Sequence, residues 1–250
     1  LLFGTALQRW SNLFLIRVLT PGSIWLQQAK LGDLKRQALA YSEFPRYRMP
    51  QDALNSFSRQ IPNILLASFF SPVVAGFYIL ATRIIRLPFS LLQEAVRKVF
   101  YMEAVESEQR GESLFRLCAR MTILIAVGML PVVCVVFIWG TVLAEAFFGH
   151  EWATTGIYAK WVILAVSCSF CSVPASVVIP ILAWNRFYLI FEAVSMILRI
   201  LIIIVVAMTL TADAMVATIA LSTCASSFVL IGIVFNRLRA LDSKSHAVIS

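Results

Sequence analysis

Four stretches of this 250-residue chain contain no charged residue: 60–82, 121–144, 161–185 and 214–236. Each exceeds the roughly 20 apolar residues that an α-helix needs to cross a 30 Å hydrocarbon core. Lipid offers the backbone no hydrogen-bond partners, so runs of this length must satisfy their own N–H and C=O groups as helices. Two more spans carry embedded charges, at about 73–102 and 186–210, the latter holding Glu192 and Arg199. The predicted fold is therefore all-α and polytopic, a lobe of six transmembrane helices over residues 41–240, at about 50–70, 73–102, 114–140, 155–184, 186–210 and 214–236. Composition agrees, with 14% charged residues against about 25% in soluble domains.

Lys and Arg set the orientation. The connections 27–48, 97–120, 183–188 and 236–250 hold fourteen of them, and the alternate connections at 71–72, 140–156 and 209–215 hold none. That asymmetry places both ends of the six-helix unit in the cytoplasm and 241–250 as a polar cytoplasmic tail. The net charge of +8 then serves topology and contact with anionic membrane lipids, with no nucleic-acid partner implied. Trp139, Phe147, Phe148, Trp152, Tyr158 and Trp161 gather near the outer boundary and Trp184 and Tyr188 near the inner one, as an interfacial belt does. Residues 1–40, beginning at Leu1 and interrupted by Arg9 and Arg17, read as a partial helix and linker left by truncation.

Within the second span, Arg83, Arg86, Ser90, Gln93, Glu94 and Arg97 fall within roughly 100° of arc at helical spacing. An arginine at the bilayer centre costs about 2.5–3.5 kcal/mol on insertion scales, so such a stripe marks a functional site. The first span carries its own stripe of Asp52, Asn55, Ser56, Arg59 and Asn63. A turn as short as Ser71–Pro72 makes the two helices antiparallel neighbours, and the helical rise puts Arg59 about 13 Å from one boundary and Arg83 about 16 Å from the other. Arg59, Arg83 and Arg86 are thus the predicted anion contacts, with Asn55, Asn63, Ser90 and Gln93 as polar lining. Asp52, Glu94, Arg97, Glu192 and Arg199 are assigned to structural charge pairs, among them Arg97 with Glu94 and Glu192 with Arg199. The competing reading closes all these charges into pairs within a dry bundle, which offers too few polar partners for two stripes.

Little else carries chemistry. Cys168 and Cys171 have CxxC spacing, yet in an apolar helix without His or carboxylate company they read as small packing residues. His150 and Glu151 read as loop residues, the segment 103–113 as a solvated charged loop, and Lys160 as a snorkelling side chain. No catalytic residue, metal ligand or cofactor is predicted. Pro62, Pro88, Pro131, Pro174 and Pro180 fall inside spans and predict kinked helices around a cavity.

Three segments, FPRYRMPQDALNSFSRQIPNILLASFF, AGFYILATRIIRLPFSLLQEAVRKVFYMEA and FFGHEWATTGIYAKW, carry a family likeness. With their Pro45, Tyr47, Pro50, Asn55, Pro62, Gly76, Tyr78, Arg83, Pro88, Gly149 and Trp152, the chain resembles the bacterial polysaccharide and O-antigen flippases of the multidrug, oligosaccharidyl-lipid and polysaccharide exporter superfamily. The resemblance implies two six-helix lobes rocking around a central cavity, of which this chain would be the second. It also implies a bacterial inner-membrane transporter that flips polyprenyl-pyrophosphate-linked oligosaccharide to the outer leaflet for surface polysaccharide. Six helices are expected to build one wall of that cavity, so the N-terminal lobe, in the same or a separate chain, would be a partner. Alternatives are a multidrug exporter of the superfamily, an integral membrane polymerase or ligase, and a non-transporting fragment. The first wants intramembrane carboxylates, which arginines here outnumber, and the second wants a nucleophile or metal site that the outer loops lack.

Overall fold

The computed structural model describes residues 49–182 and 184–249, the side chains of residues 49–52, 55 and 243–249 excepted. The predicted partial helix and linker at 1–40 lies outside the described residues, as do the side chains of Asp52 and Asn55. Among the described residues seven α-helices follow one another: α1 (Met49–Phe69), α2 (Pro72–Gln109), α3 (Leu114–Phe148), α4 (Ala153–Cys171), α5 (Val173–Ile181), α6 (Asn185–Thr209) and α7 (Ala212–Ile249). A single 3₁₀ turn, His150–Trp152, joins α3 to α4. No strand occurs among the described residues, and the chain is an all-α polytopic membrane protein.

Local chemistry accounts for the ends of these helices. Ser71 caps α2, its Oγ accepting the N–H of Val74 at 3.2 Å, and Pro72 occupies the first turn, where a missing N–H removes no bond. Gly111 takes φ 71°, a left-handed conformation open to glycine, and turns the chain into α3. Ser113 then caps α3 by accepting the N–H of Arg116 at 3.3 Å.

Four boundaries differ from those read in the sequence. The fourth predicted span, 155–184, is interrupted at Ser172 into α4 and α5, because Pro174 has no N–H to donate and its ring crowds the carbonyl four residues back. Helix α2 runs on to Gln109 through most of the predicted loop 103–113, since Phe100, Ala104 and Ser107 are buried at helical spacing and dock that end. Helix α3 likewise continues past residue 140 to Phe148. The predicted tail beyond residue 240 continues α7 to Ile249, with no glycine or proline after Gly232 to stop it. Where α7 passes the start of α3, Ser113 Oγ donates to Asp242 Oδ2, Arg239 stacks on Phe115 at 4.7 Å, and Phe115 meets Phe235 edge-on at 5.5 Å.

Among the described residues, five runs are long and apolar enough to cross a membrane: Pro72–Gln109, Leu114–Phe148, His150–Ile181, Asn185–Thr209 and Ala212–Asp242. The predicted first span forms helix α1 but is not among the five, because its polar stripe lowers its hydropathy. The spans are buried unequally. The most apolar part of the α4–α5 run is 67% buried and that of α6 only 6%, so α4–α5 is the central stave and α6 turns most of its surface outward, to lipid in a membrane.

Neighbour relations run α1 to α2, α2 to α4 and α5, these to α7, α7 to α6, and α6 back to α1. The helices expected to form one wall therefore close into a ring of five staves. Helix α3 packs outside the ring against α4, where Gly140 and Gly156 let the two backbones touch: a Cβ on Gly156 would lie 2.4 Å from the Cα of Thr141. On the core side Tyr158, Ile163, Val178, Ile179, Met215 and Val216 are wholly or almost wholly buried.

Candidate functional site

The ring encloses a cavity of about 720 Å³, within the 300–1,000 Å³ common for ligand sites. Helix α1 contributes Arg59, Ser56 and Ser58 to it, and α2 contributes Arg86, Ser90, Gln93, Glu94 and Arg97. Helix α6 adds Glu192 and Arg199, while α4 and α5 add Ser169, Ser172 and Ser176. Helix α7 completes the lining with Thr223, Ser226 and Ser227.

Position along each helix locates the cavity. Arg86 lies about 21 Å from Pro72, Arg199 about 21 Å from Asn185, and Arg59 about 15 Å from Met49, by the helical rise. The lining residues of α2 continue from there toward Gln109 and those of α6 toward Asn185. The cavity thus spans the half of the ring that holds the start of α1, the end of α2 and the start of α6. Tyr78, 4% exposed, stands at its deep end.

Four of the seven predicted site residues line this space: Arg59, Arg86, Ser90 and Gln93. Arg83 does not. The buried residues Ala75, Tyr78, Ala81 and Ile85 define the inward face of α2, and Arg83 stands on its exposed flank with Ile84 and Leu87. Asn63 also lies off the cavity, its Nδ2 donating to Gln60 Oε1 on the same helix at 3.1 Å.

The charge pairs differ as well. Glu94 meets Lys98 at 3.7 Å, one turn on, in place of the predicted Arg97. Glu192 and Arg199 form no ion pair with each other among the described residues. Instead Arg199 bridges three staves, its Nη1 donating to Ser58 Oγ on α1 at 3.2 Å and its Nη2 to Ser226 Oγ on α7 at 3.1 Å. Hydroxyls satisfy donors without cancelling charge. Among the described residues, the buried Nε atoms of Arg86 and Arg199 have no hydrogen-bond partner. Four arginines face two carboxylates across the cavity, so its field is positive. Seven-residue spacing correctly put Glu192 and Arg199 on one face, but that face turns to the cavity.

The hydroxyls of α4, α5 and α7 were also missed. Their signal is the spacing of Ser169, Ser172 and Ser176, and of Thr223, Ser226 and Ser227, on single faces of charge-free helices. No group of three His, Cys, Asp or Glu stands together as a metal site among the described residues, and the described cysteines are free thiols.

A model of the family described as polysaccharide biosynthesis protein matches residues 10–156. The chain belongs to this family. It is a flippase family of the multidrug, oligosaccharidyl-lipid and polysaccharide exporter type, with a role in polysaccharide biosynthesis and transport, and such families are in general non-enzymatic. The family match covers the arginine-bearing α1 and α2, while Arg199 and the cavity hydroxyls of α4, α5 and α7 lie beyond it. No curated protein matches the chain, and no solved structure does.

Proposed function

We propose that this chain forms a lobe of a transporter that flips polyprenyl-pyrophosphate-linked oligosaccharide from the inner to the outer leaflet for O-antigen, capsule or exopolysaccharide. The carrying observation is the cavity itself: four arginines against two carboxylates, with the Nε–H groups of Arg86 and Arg199 unpartnered and with Arg59, Arg86 and Arg199 at the depth where a pyrophosphate would cross. Guanidinium forks match phosphate oxygens in pairs, and such charge-assisted bonds are roughly twice as strong as neutral ones. No covalent step is involved, and the chain acts without catalytic groups or cofactor by binding and conformational exchange.

The positive-inside pattern supports an inner-membrane topology with both ends of the unit cytoplasmic. In that orientation the cavity occupies the cytoplasmic half, as a loading state requires. Membrane lipids and an N-terminal lobe are the partners that this reading entails. A cation exporter is the weaker alternative, because Arg59, Arg86 and Arg199 would repel its substrate.

The test is complementation of a flippase-deficient cell by the complete transporter. Arg86→Ala and Arg199→Ala should each reduce surface polysaccharide at least tenfold while leaving membrane insertion intact. Full complementation by both variants would remove the arginine cavity as the substrate site.

A further inference from the structure

The guanidinium groups and most of the hydroxyls of the cavity gather on different arcs of the ring. Along α6, α1 and α2 stand Arg199, Arg59, Arg86 and Arg97, whose guanidinium groups can only donate. Along α4, α5 and α7 four of the six cavity hydroxyls, those of Ser172, Ser176, Thr223 and Ser226, have already committed their protons. Ser172 Oγ donates to the Ser169 carbonyl at 2.8 Å and Ser176 Oγ to the Val173 carbonyl at 2.8 Å. On α7, Thr223 Oγ1 donates to Ile219 at 2.8 Å and Ser226 Oγ to Thr223 at 2.9 Å.

A hydroxyl owns one proton and two lone pairs, so each of these groups has only lone pairs left to offer. Ser226 already spends one on Arg199. Glu192, on the stave that adjoins α7, is a carboxylate within the cavity and forms no ion pair among the described residues. Arg199 and Arg59 act on it across the cavity without a direct ion pair, which leaves its oxygen lone pairs open to a donor.

We propose that the α4–α5 hydroxyls, together with the Glu192 carboxylate of α6, form a donor-reading subsite: Ser172, Ser176 and Glu192 accept hydrogen bonds from the hydroxyl or N–H groups of a glycan whose anionic end rests on the arginines. The assignment rests on the flippase reading above and names the residues that would sense the sugar. Its chemical consequence is directional. A free sugar hydroxyl can donate to this subsite, but an O-acylated one presents an oxygen to oxygen lone pairs and is rejected.

Binding to the purified full chain in lipid nanodiscs separates the possibilities, read by quenching of tryptophan fluorescence. The probes are undecaprenyl pyrophosphate, its N-acetylglucosamine derivative, and that derivative with its sugar hydroxyls O-acetylated. The wild type should bind the free-sugar probe about tenfold more tightly than the sugarless one, and the acetylated probe no more tightly than the sugarless one. In Ser172→Ala/Ser176→Ala the tenfold ratio should fall toward one. Ser172 makes no side-chain cap to α5, so alanine leaves the start of that helix intact.

A wild-type ratio preserved in the variant, or equal binding of free and acetylated sugars, overturns the subsite. Binding of the sugarless probe with no gain from sugar overturns the subsite alone. Failure of all three probes to bind the wild type removes the flippase reading and the subsite with it.

Discussion

Gly156→Ala tests the packing that holds α3 against the ring. A Cβ at this position would stand 2.4 Å from the Cα of Thr141 and 2.6 and 2.8 Å from the O and C of Gly140, all backbone atoms of α3. Carbon atoms in contact prefer about 3.5–4.0 Å, so α3 must retreat by roughly 1 Å and loosen the whole α3–α4 crossing. Overpacking of this kind costs about 1–3 kcal/mol, and three backbone clashes at once place it near the upper end. Alanine returns about 1 kcal/mol of helix propensity, leaving a net loss of about 2 kcal/mol.

For a chain of this size that corresponds to a fall in Tm of roughly 4–8 °C. The assay is thermal unfolding in detergent followed by intrinsic fluorescence, with Trp152 and Trp161 flanking the crossing. Gly140→Ala is the internal control, because its Cβ would meet nothing nearer than the Gly156 carbonyl oxygen at 3.4 Å, and it should hold or raise Tm. A Gly156→Ala variant as stable as the wild type, or less affected than Gly140→Ala, would refute the reasoning.

Three further outcomes are expected. Arg83→Ala should retain transport in the complementation assay that Arg86→Ala fails, since only Arg86 lines the cavity; equal loss in both would return Arg83 to the site. Ser113→Ala removes both the cap of α3 and the hydrogen bond to Asp242, and should lower stability by about 1–2 kcal/mol, seen as faster proteolysis at the end of α7. Pro174→Ala restores a backbone donor at the α4–α5 break and should raise thermal stability, while straightening the stave that carries Ser172 and Ser176 and slowing transport.

The apolar runs, the tight turn at Ser71–Pro72 and the inward Arg59, Arg86, Ser90 and Gln93 were legible because they depend on composition and helical period. Arg199 was not, since the groups that turn it into the cavity lie 141 and 27 residues away in the chain, at Ser58 and Ser226. Arg83 shows the opposite failure: a charged stripe is wider than the wedge of helix facing a cavity, and only tertiary packing says which edge is turned outward. The length of α2 was hidden because Glu103, Glu106 and Glu108 are interleaved with the helical spacing of Phe100, Ala104 and Ser107 that docks this end. Pro174 announced a kink, but whether a proline bends a helix or interrupts it depends on neighbours that sequence spacing does not name.

The closed ring of α1, α2, α4–α5, α7 and α6 has a topological consequence. A compact ion can enter such a barrel through its open end and leave by the same door. A headgroup tethered to a long hydrocarbon tail is a bead on a string, and if the bead sits inside while the string stays in the bilayer, the string must pass between two staves. One seam of the ring would then have to part for every molecule loaded and close behind its tail. Helix α1, which carries Pro62 and is the stave least suited to lipid, borders two of those seams, with α2 and with α6.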